Sequence, residues 1–139
     1  MYIGKYVNKY HDQFYVIFRI LIGLMFFCHG AQKVLGWFTE NPAAALMSTF
    51  GIVGIFEIIG GLAILVGFWS RLAGAGGVIL MLLAYFKAHF PGFVLELGLF
   101  PIVNRGELAV LYFACFLLVV QHGNGKASLE KMMTKGELF

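Results

Sequence analysis

Apolar residues run along this chain in long blocks, with polar residues gathered near the block ends. A hydrocarbon core about 30 Å thick takes a helix of about 20 mostly apolar residues. The first such block covers about residues 14–36 and is apolar except for Arg19 near its start and His29, Gln32 and Lys33 near its end. The second, 49–69, holds one charge, Glu57. The third, 72–90, ends with Lys87 and His89, and the fourth, 105–121, carries Glu107 in its first turn. The pattern predicts an all-α integral membrane protein, a single domain over 1–139 arranged as a four-helix transmembrane bundle. Asn41-Pro42 predicts a cap and a short helix over 42–48. Gly67 and Ser70-Arg71 mark a tight connection, and Pro91-Gly92 stops the third helix, leaving 91–104 as the longest loop. Asn104 stands three residues before Glu107, the spacing of a capping box for the fourth helix. Gly123-Asn124-Gly125 ends that helix, before a short polar tail.

Composition agrees with this pattern. The chain is 60% hydrophobic and 12% charged, whereas soluble domains are about 25% charged. Too little charge is present to coat a soluble globule, and too much apolar surface for disorder. A net charge of +3, scattered along the chain, gives no footprint for nucleic acid. The two cysteines, Cys28 and Cys115, form no CxxC pair. That excludes a disulfide scaffold, a thiolate zinc site and the chemistry of four-helix quinone-linked disulfide oxidases. No metal-ligand spacing is present. The interruptions Arg19, His29 and Lys33 argue against a cleaved signal peptide in the first block.

An even number of spans places both termini on one side. That side carries Lys5, Lys9, Arg19, Arg71, Lys126, Lys131 and Lys135; the other carries Lys33, Lys87 and Arg105. The asymmetry predicts cytoplasmic termini in a multi-pass cell (plasma) membrane protein, with Arg19 and Arg71 as anchors on the inner side. Glu57 then lies roughly 3 Å from the midplane and His29 roughly 4–5 Å outward of it. Lys33 falls about one turn further, and Lys87, His89, Arg105 and Glu107 roughly 9–14 Å outward. Charges facing lipid cost about 2.5–3.5 kcal/mol even on the lenient insertion scale, so these groups should point inward and pair. His29 and Lys33, at i and i+4, share a face. Lys87 and His89 cannot both point inward on a regular helix. Gly60 and Gly61 allow another helix close to Glu57. Each group also has a purely structural alternative: an ion pair of Glu57 with Lys33, a helix–helix hydrogen bond for His29, snorkelling for Lys33 and Lys87, and an interface anchor for Arg105.

The run Arg19-Ile20-Leu21-Ile22-Gly23, then His29-Gly30-Ala31-Gln32-Lys33 and Gly36-Trp37-Phe38, resembles the first helix of the DoxX family. Glu57-Ile58-Ile59-Gly60-Gly61, continuing through Gly67 to Arg71-Leu72-Ala73, resembles its second and third helices. Ala88-His89-Phe90, Gly106-Glu107-Leu108-Ala109 and Ser128-Leu129-Glu130 fit its later pattern. The resemblance covers about residues 14–131. It implies a small four-helix membrane protein of the bacterial and archaeal kind. Relatives include the small subunit of an archaeal thiosulfate:quinone oxidoreductase, and others are linked to thiol and oxidative-stress systems. The matching positions imply a shared site at His29, Lys33, Glu57, His89 and Glu107.

The functional expectation is a membrane subunit of a redox complex, quinone-linked in thiosulfate or thiol oxidation. Glu57 and His29 would handle protons, and Lys33, His89, Glu107 and Arg105 would bind the substrate. Quinone is the candidate cofactor. A haem held by His29 and His89 is disfavoured by their roughly 8–9 Å difference in depth. The partners expected are the lipid bilayer and a protein partner or a second copy. The alternative is a non-catalytic membrane scaffold that recruits redox or stress-response partners, its polar cluster serving only as an internal hydrogen-bond network.

Overall fold

The structure, a computed structural model, describes residues 3–89, 98 and 100–134. All regular elements among them are helical. They are α1 (Ile3–Lys9), α2 (His11–Leu35), α3 (Thr49–Val66), α4 (Ser70–Ala84) with a π-turn over Tyr85–His89, α5 (Pro101–Asn104), α6 (Glu107–His122) and α7 (Leu129–Thr134). Three helical stretches are long and apolar enough to cross a membrane: His11–Leu35, Thr49–Val66 and Ser70–His89. The apolar α6 has 16 residues. At 1.5 Å per residue it is about 24 Å long, shorter than a hydrocarbon core of about 30 Å.

Two close helix pairs organise the molecule. Helix α2 runs antiparallel along α3, and α4 packs along α6. Glycine sets the first pairing. A Cβ on Gly23 would come within 2.5 Å of the Leu65 nitrogen and 2.8 Å of the Gly61 oxygen. One on Gly30 would come within 2.7 Å of the Ile58 nitrogen, and one on Gly54 within 3.3 Å of the Gly30 oxygen. Gly23 therefore faces Gly61, and Gly30 faces Gly54. These pairs are two turns apart, so the backbones touch along the seam. The same register puts Glu57 level with Phe27. In the second pair, Gly74 and Gly77 make room for Val119, Val120 and Phe116 of α6. The pairs meet through one apolar core formed by Phe26, Ile64, Met81, Ala109, Tyr112, Phe116 and Val119.

Several boundaries differ from the sequence pattern. No helix forms over 42–48. The Ala44 nitrogen instead donates to the Lys33 carbonyl at 2.8 Å, which folds this segment back on the end of α2. The N-cap of α3 is Ser48, whose hydroxyl accepts from the Gly51 nitrogen at 3.1 Å. Helix α6 begins at Glu107, not 105. Pro101 starts a separate single turn, α5, which ends in a left-handed Arg105 (φ 60°). Asn104 accepts from the Gly106 nitrogen at 2.8 Å, and Gly106 is the N-cap, so the capping box with Glu107 does not form. The regular geometry assumed at Lys87 and His89 gives way to the π-turn. The expected features at Phe90, Pro91-Gly92, most of the 91–104 loop and Lys135 lie outside the described residues.

Arg19 is not an inner-side anchor. It is 2% exposed, and its guanidinium donates to the carbonyls of Asn124, Ala127 (2.6 Å) and Leu65 (3.4 Å). Around it the tail docks against the rest of the molecule. Tyr15 donates to the Gly123 carbonyl at 2.5 Å. Asn124 accepts from the Ser70 nitrogen at 3.0 Å. Glu130, fully buried, accepts from the Trp69 nitrogen at 2.8 Å and from the Asn124 amide at 2.7 Å. Trp69 sits in the left-handed region (φ 51°) as the N-cap of α4, a conformation that costs a non-glycine residue about 1–2 kcal/mol. The buried carboxylate holds the Trp69 N–H in place, and an acidic group there also suits the positive end of the helix dipole.

Candidate functional site

The site forms where α2, α3 and α6 meet. The Cα–Cβ bond of a helical residue tilts toward the helix N-terminus. On α2 that direction leads from Lys33 back along the helix, toward the level of Glu57 on α3. The Lys33 ammonium reaches Glu57 Oε1 at 2.5 Å. Lys33 thus turns inward instead of snorkelling out. Its side chain keeps 26% exposure while that of Glu57 keeps 5%. The other carboxylate oxygen, Oε2, is buried and has no hydrogen-bond donor among the described residues. A buried carboxylate oxygen without a donor is expensive, and such exceptions call for a specific explanation.

Tyr112 of α6 covers the same region. Its ring stacks on Phe116 at 5.7 Å between centroids, lies 5.8 Å from Phe26 and meets the His29 ring edge-on at 5.7 Å. Phe26, His29 and Lys33 fall at i, i+3 and i+7 on one face of α2, so Tyr112 packs beside the face from which Lys33 reaches Glu57. The phenol lies within electrostatic reach of the Glu57 carboxylate. Its hydroxyl is also buried, without a hydrogen-bond partner among the described residues. Sequence reasoning missed this residue, because a tyrosine in an apolar stretch carries no distinguishing signal.

His29 is half-buried and lies within electrostatic reach of Lys33. Besides meeting Tyr112, it lines a groove of about 370 Å³ on α2, together with Leu24, Met25, Cys28, Gln32 and Phe38. Among the described residues neither His29 nor Gln32 has a hydrogen-bond partner. A larger, apolar groove of about 560 Å³ runs between α3 and α4, with Phe26 in its lining.

The other residues singled out by sequence lie elsewhere. His89 sits on the π-turn, its Nδ1 3.2 Å from the Asn104 carbonyl. Asn104 also donates to the Tyr85 hydroxyl at 3.0 Å. Arg105 and Glu107 are exposed beside this corner. Among the described residues none of the three bonds to Glu57 or Lys33. Nor does any group of three or more His, Cys, Asp or Glu gather there as a metal site would require.

The geometry so far is that of an all-helical membrane protein with a charged pair in its interior, facing an unpartnered phenol. The DoxX family model matches residues 14–90, more than half the sequence. The chain belongs to the DoxX family. An uncharacterised protein of Haemophilus influenzae (strain ATCC 51907 / DSM 11121 / KW20 / Rd) is 33% identical over 133 residues, covering 93% of this chain and 97% of that relative. No solved structure matches. The family match spans Lys33, Glu57 and His29, whereas Tyr112 and the docked tail fall beyond it.

Proposed function

We propose that this protein is a membrane subunit of a redox complex, quinone-linked, in which Glu57 and His29 manage protons and Lys33 fixes the Glu57 carboxylate. The observation that carries this reading is the buried Glu57: one oxygen is held by Lys33 and the other has no donor. An ionisable group inside a membrane span is expensive to keep and marks a functional site by default. The donor set suits a quinone. His29 and Gln32 line a groove with hydrogen-bonding capacity to spare, and an apolar slot with a few polar groups is what a quinone ring needs. A quinone would supply two-electron, two-proton chemistry there. The protein's own part is to seat the ring, exclude water and hold a proton at Glu57. In this reading α6 is the fourth span, the termini are cytoplasmic and the membrane is the cell membrane. His89, Arg105 and Glu107 serve at the outer rim, and electrons come from a protein partner.

The competing scaffold reading draws on the closure of the Lys33–Glu57 pair, with Glu57 only 3% exposed. The two are separated by mass spectrometry of an organic extract from mildly purified protein. A stoichiometric quinone in the wild type, absent from folded Glu57→Gln, is expected. No quinone in either, together with unchanged partner capture by the variant, would move the assignment to the scaffold.

A further inference from the structure

We infer that Tyr112 completes the Glu57 site and that the two together recognise a hydroxyl in preference to a carbonyl, so the site takes the reduced, quinol form of its ligand. This rests on the quinone-linked reading above and specifies which form binds.

Both groups are more than nine-tenths buried, Glu57 at 3% exposure and Tyr112 at 5%. Both present an oxygen with no hydrogen-bond partner among the described residues. They occupy one depth: the glycine register of α2 and α3 puts Glu57 level with Phe27, and the Tyr112 ring touches Phe26 and His29 on either side of that level. They belong to two helices, α3 and α6, and converge beside the same face of α2. They do not bond each other, because a direct bond would satisfy both oxygens.

The hydrogen-bonding inventory then limits the ligand. An ionised carboxylate only accepts, while a phenol hydroxyl donates once and also accepts. A single atom that satisfies both must donate to Glu57 Oε2 and accept from Tyr112. A hydroxyl does this. A carbonyl oxygen can accept from Tyr112 but offers nothing to the carboxylate, and it would set lone pair against lone pair. Reach is provided through His29. Its half-buried ring lines the groove and meets Tyr112 edge-on, and it breaks no hydrogen bond among the described residues when it turns. A ring lying in the groove can then extend its hydroxyl toward the pair.

The test is equilibrium binding of a short-chain naphthoquinone to the full chain in nanodiscs. The oxidised and reduced forms are measured separately, the reduced form anaerobically. Wild type, Tyr112→Phe and Glu57→Gln are compared, and melting curves confirm that each is folded. The wild type is expected to prefer the reduced form by about tenfold or more, the scale of one buried group left unsatisfied. Glu57→Gln, whose amide can donate to a carbonyl as well as accept from a hydroxyl, should lose most of the preference, whereas Tyr112→Phe keeps the ring and its packing, and should weaken both forms while keeping the preference. Equal affinity for both forms in the wild type, a preference intact in Glu57→Gln, or wild-type affinities in Tyr112→Phe, overturns the inference while leaving the quinone-linked reading standing. Binding of neither form overturns both.

Discussion

Removing either partner of the Lys33–Glu57 pair should have unequal consequences. Glu57 keeps 5% side-chain exposure and Lys33 keeps 26%. In Lys33→Met the carboxylate stays where it is, on α3 against the α2 backbone, with both oxygens now without a donor. Breaking a buried pair in this way costs about 3–5 kcal/mol. In Glu57→Gln the unpaired ammonium has an escape. Lys33 lies in the last turn of α2, and its flexible stem can turn outward to water. That variant also loses the charged hydrogen bond, for a total of about 1.5–3 kcal/mol. The double variant, Lys33→Met with Glu57→Gln, removes both desolvated charges and should recover most of the stability lost in Lys33→Met. The assay is reversible unfolding in mixed micelles for a wild type, two singles and a double, arranged as a double-mutant cycle. The coupling expected is about 3 kcal/mol or more. Additive single effects would refute the reasoning, as would a Glu57→Gln variant less stable than Lys33→Met. The cycle also bears on function. If the double variant is stable but retains no ligand, the charges serve the ligand and not the fold.

The docked tail should fail when its centre is changed. Arg19→Lys replaces a planar fork serving three carbonyls with a point charge, and should lower stability by about 2 kcal/mol or more, read as a lower melting temperature and faster cleavage after residue 123. Glu130→Ala should loosen the Trp69 turn and expose the tail to the same protease, whereas a tail still protected would contradict the clamp. On the helix seams, Gly23→Ala pushes a methyl into the Leu65 backbone and should cost about 1–3 kcal/mol. Gly76→Ala meets nothing within 4 Å and should gain up to about 1 kcal/mol from helix propensity, so equal melting shifts in these two variants would refute the packing assignment.

The helices were legible in the sequence because lipid imposes a simple rule. A long apolar run must be helical, since no water is there to take the backbone groups. The second helix began at its expected residue, 49, for that reason. Helix ends that depend on tertiary contacts were not legible. Asn41-Pro42 has the local chemistry of a helix start, yet a backbone bond from Ala44 to Lys33 holds that segment against α2. Arg19 misled for a related reason. A lone arginine near a span end is usually an anchor, and only the docked tail, over a hundred residues away, turns it into a buried clamp. Within the site, Lys33 and Glu57 stood out because charge is conspicuous in an apolar run. Tyr112 stayed hidden, since a tyrosine among leucines and phenylalanines has the same pattern whether it packs or binds.

The two buried charged centres have different neighbours, and that difference separates structure from chemistry. At the tail, the terminal nitrogens of Arg19 donate to three backbone carbonyls, its Nε alone being buried without a partner among the described residues, and Glu130 takes two donors, so the fold accounts for most of both charges. At Glu57 the fold accounts for only one oxygen. The glycine seam fixes α3 against α2, and the clamp fixes the far ends of α2, α3, α4 and α6 through Arg19, Leu65, Ser70 and Asn124. By contrast, α2 and α6 touch only briefly along their lengths. The Tyr112 side of the site therefore lies along a seam with few backbone contacts. A rigid carboxylate facing a seam that can yield is suited to admitting a guest. Tightening that seam is a further check. A disulfide engineered between α2 and α6 away from the site should leave the melting temperature equal or higher and reduce ligand binding. Undiminished binding in the cross-linked protein would place the entry path elsewhere.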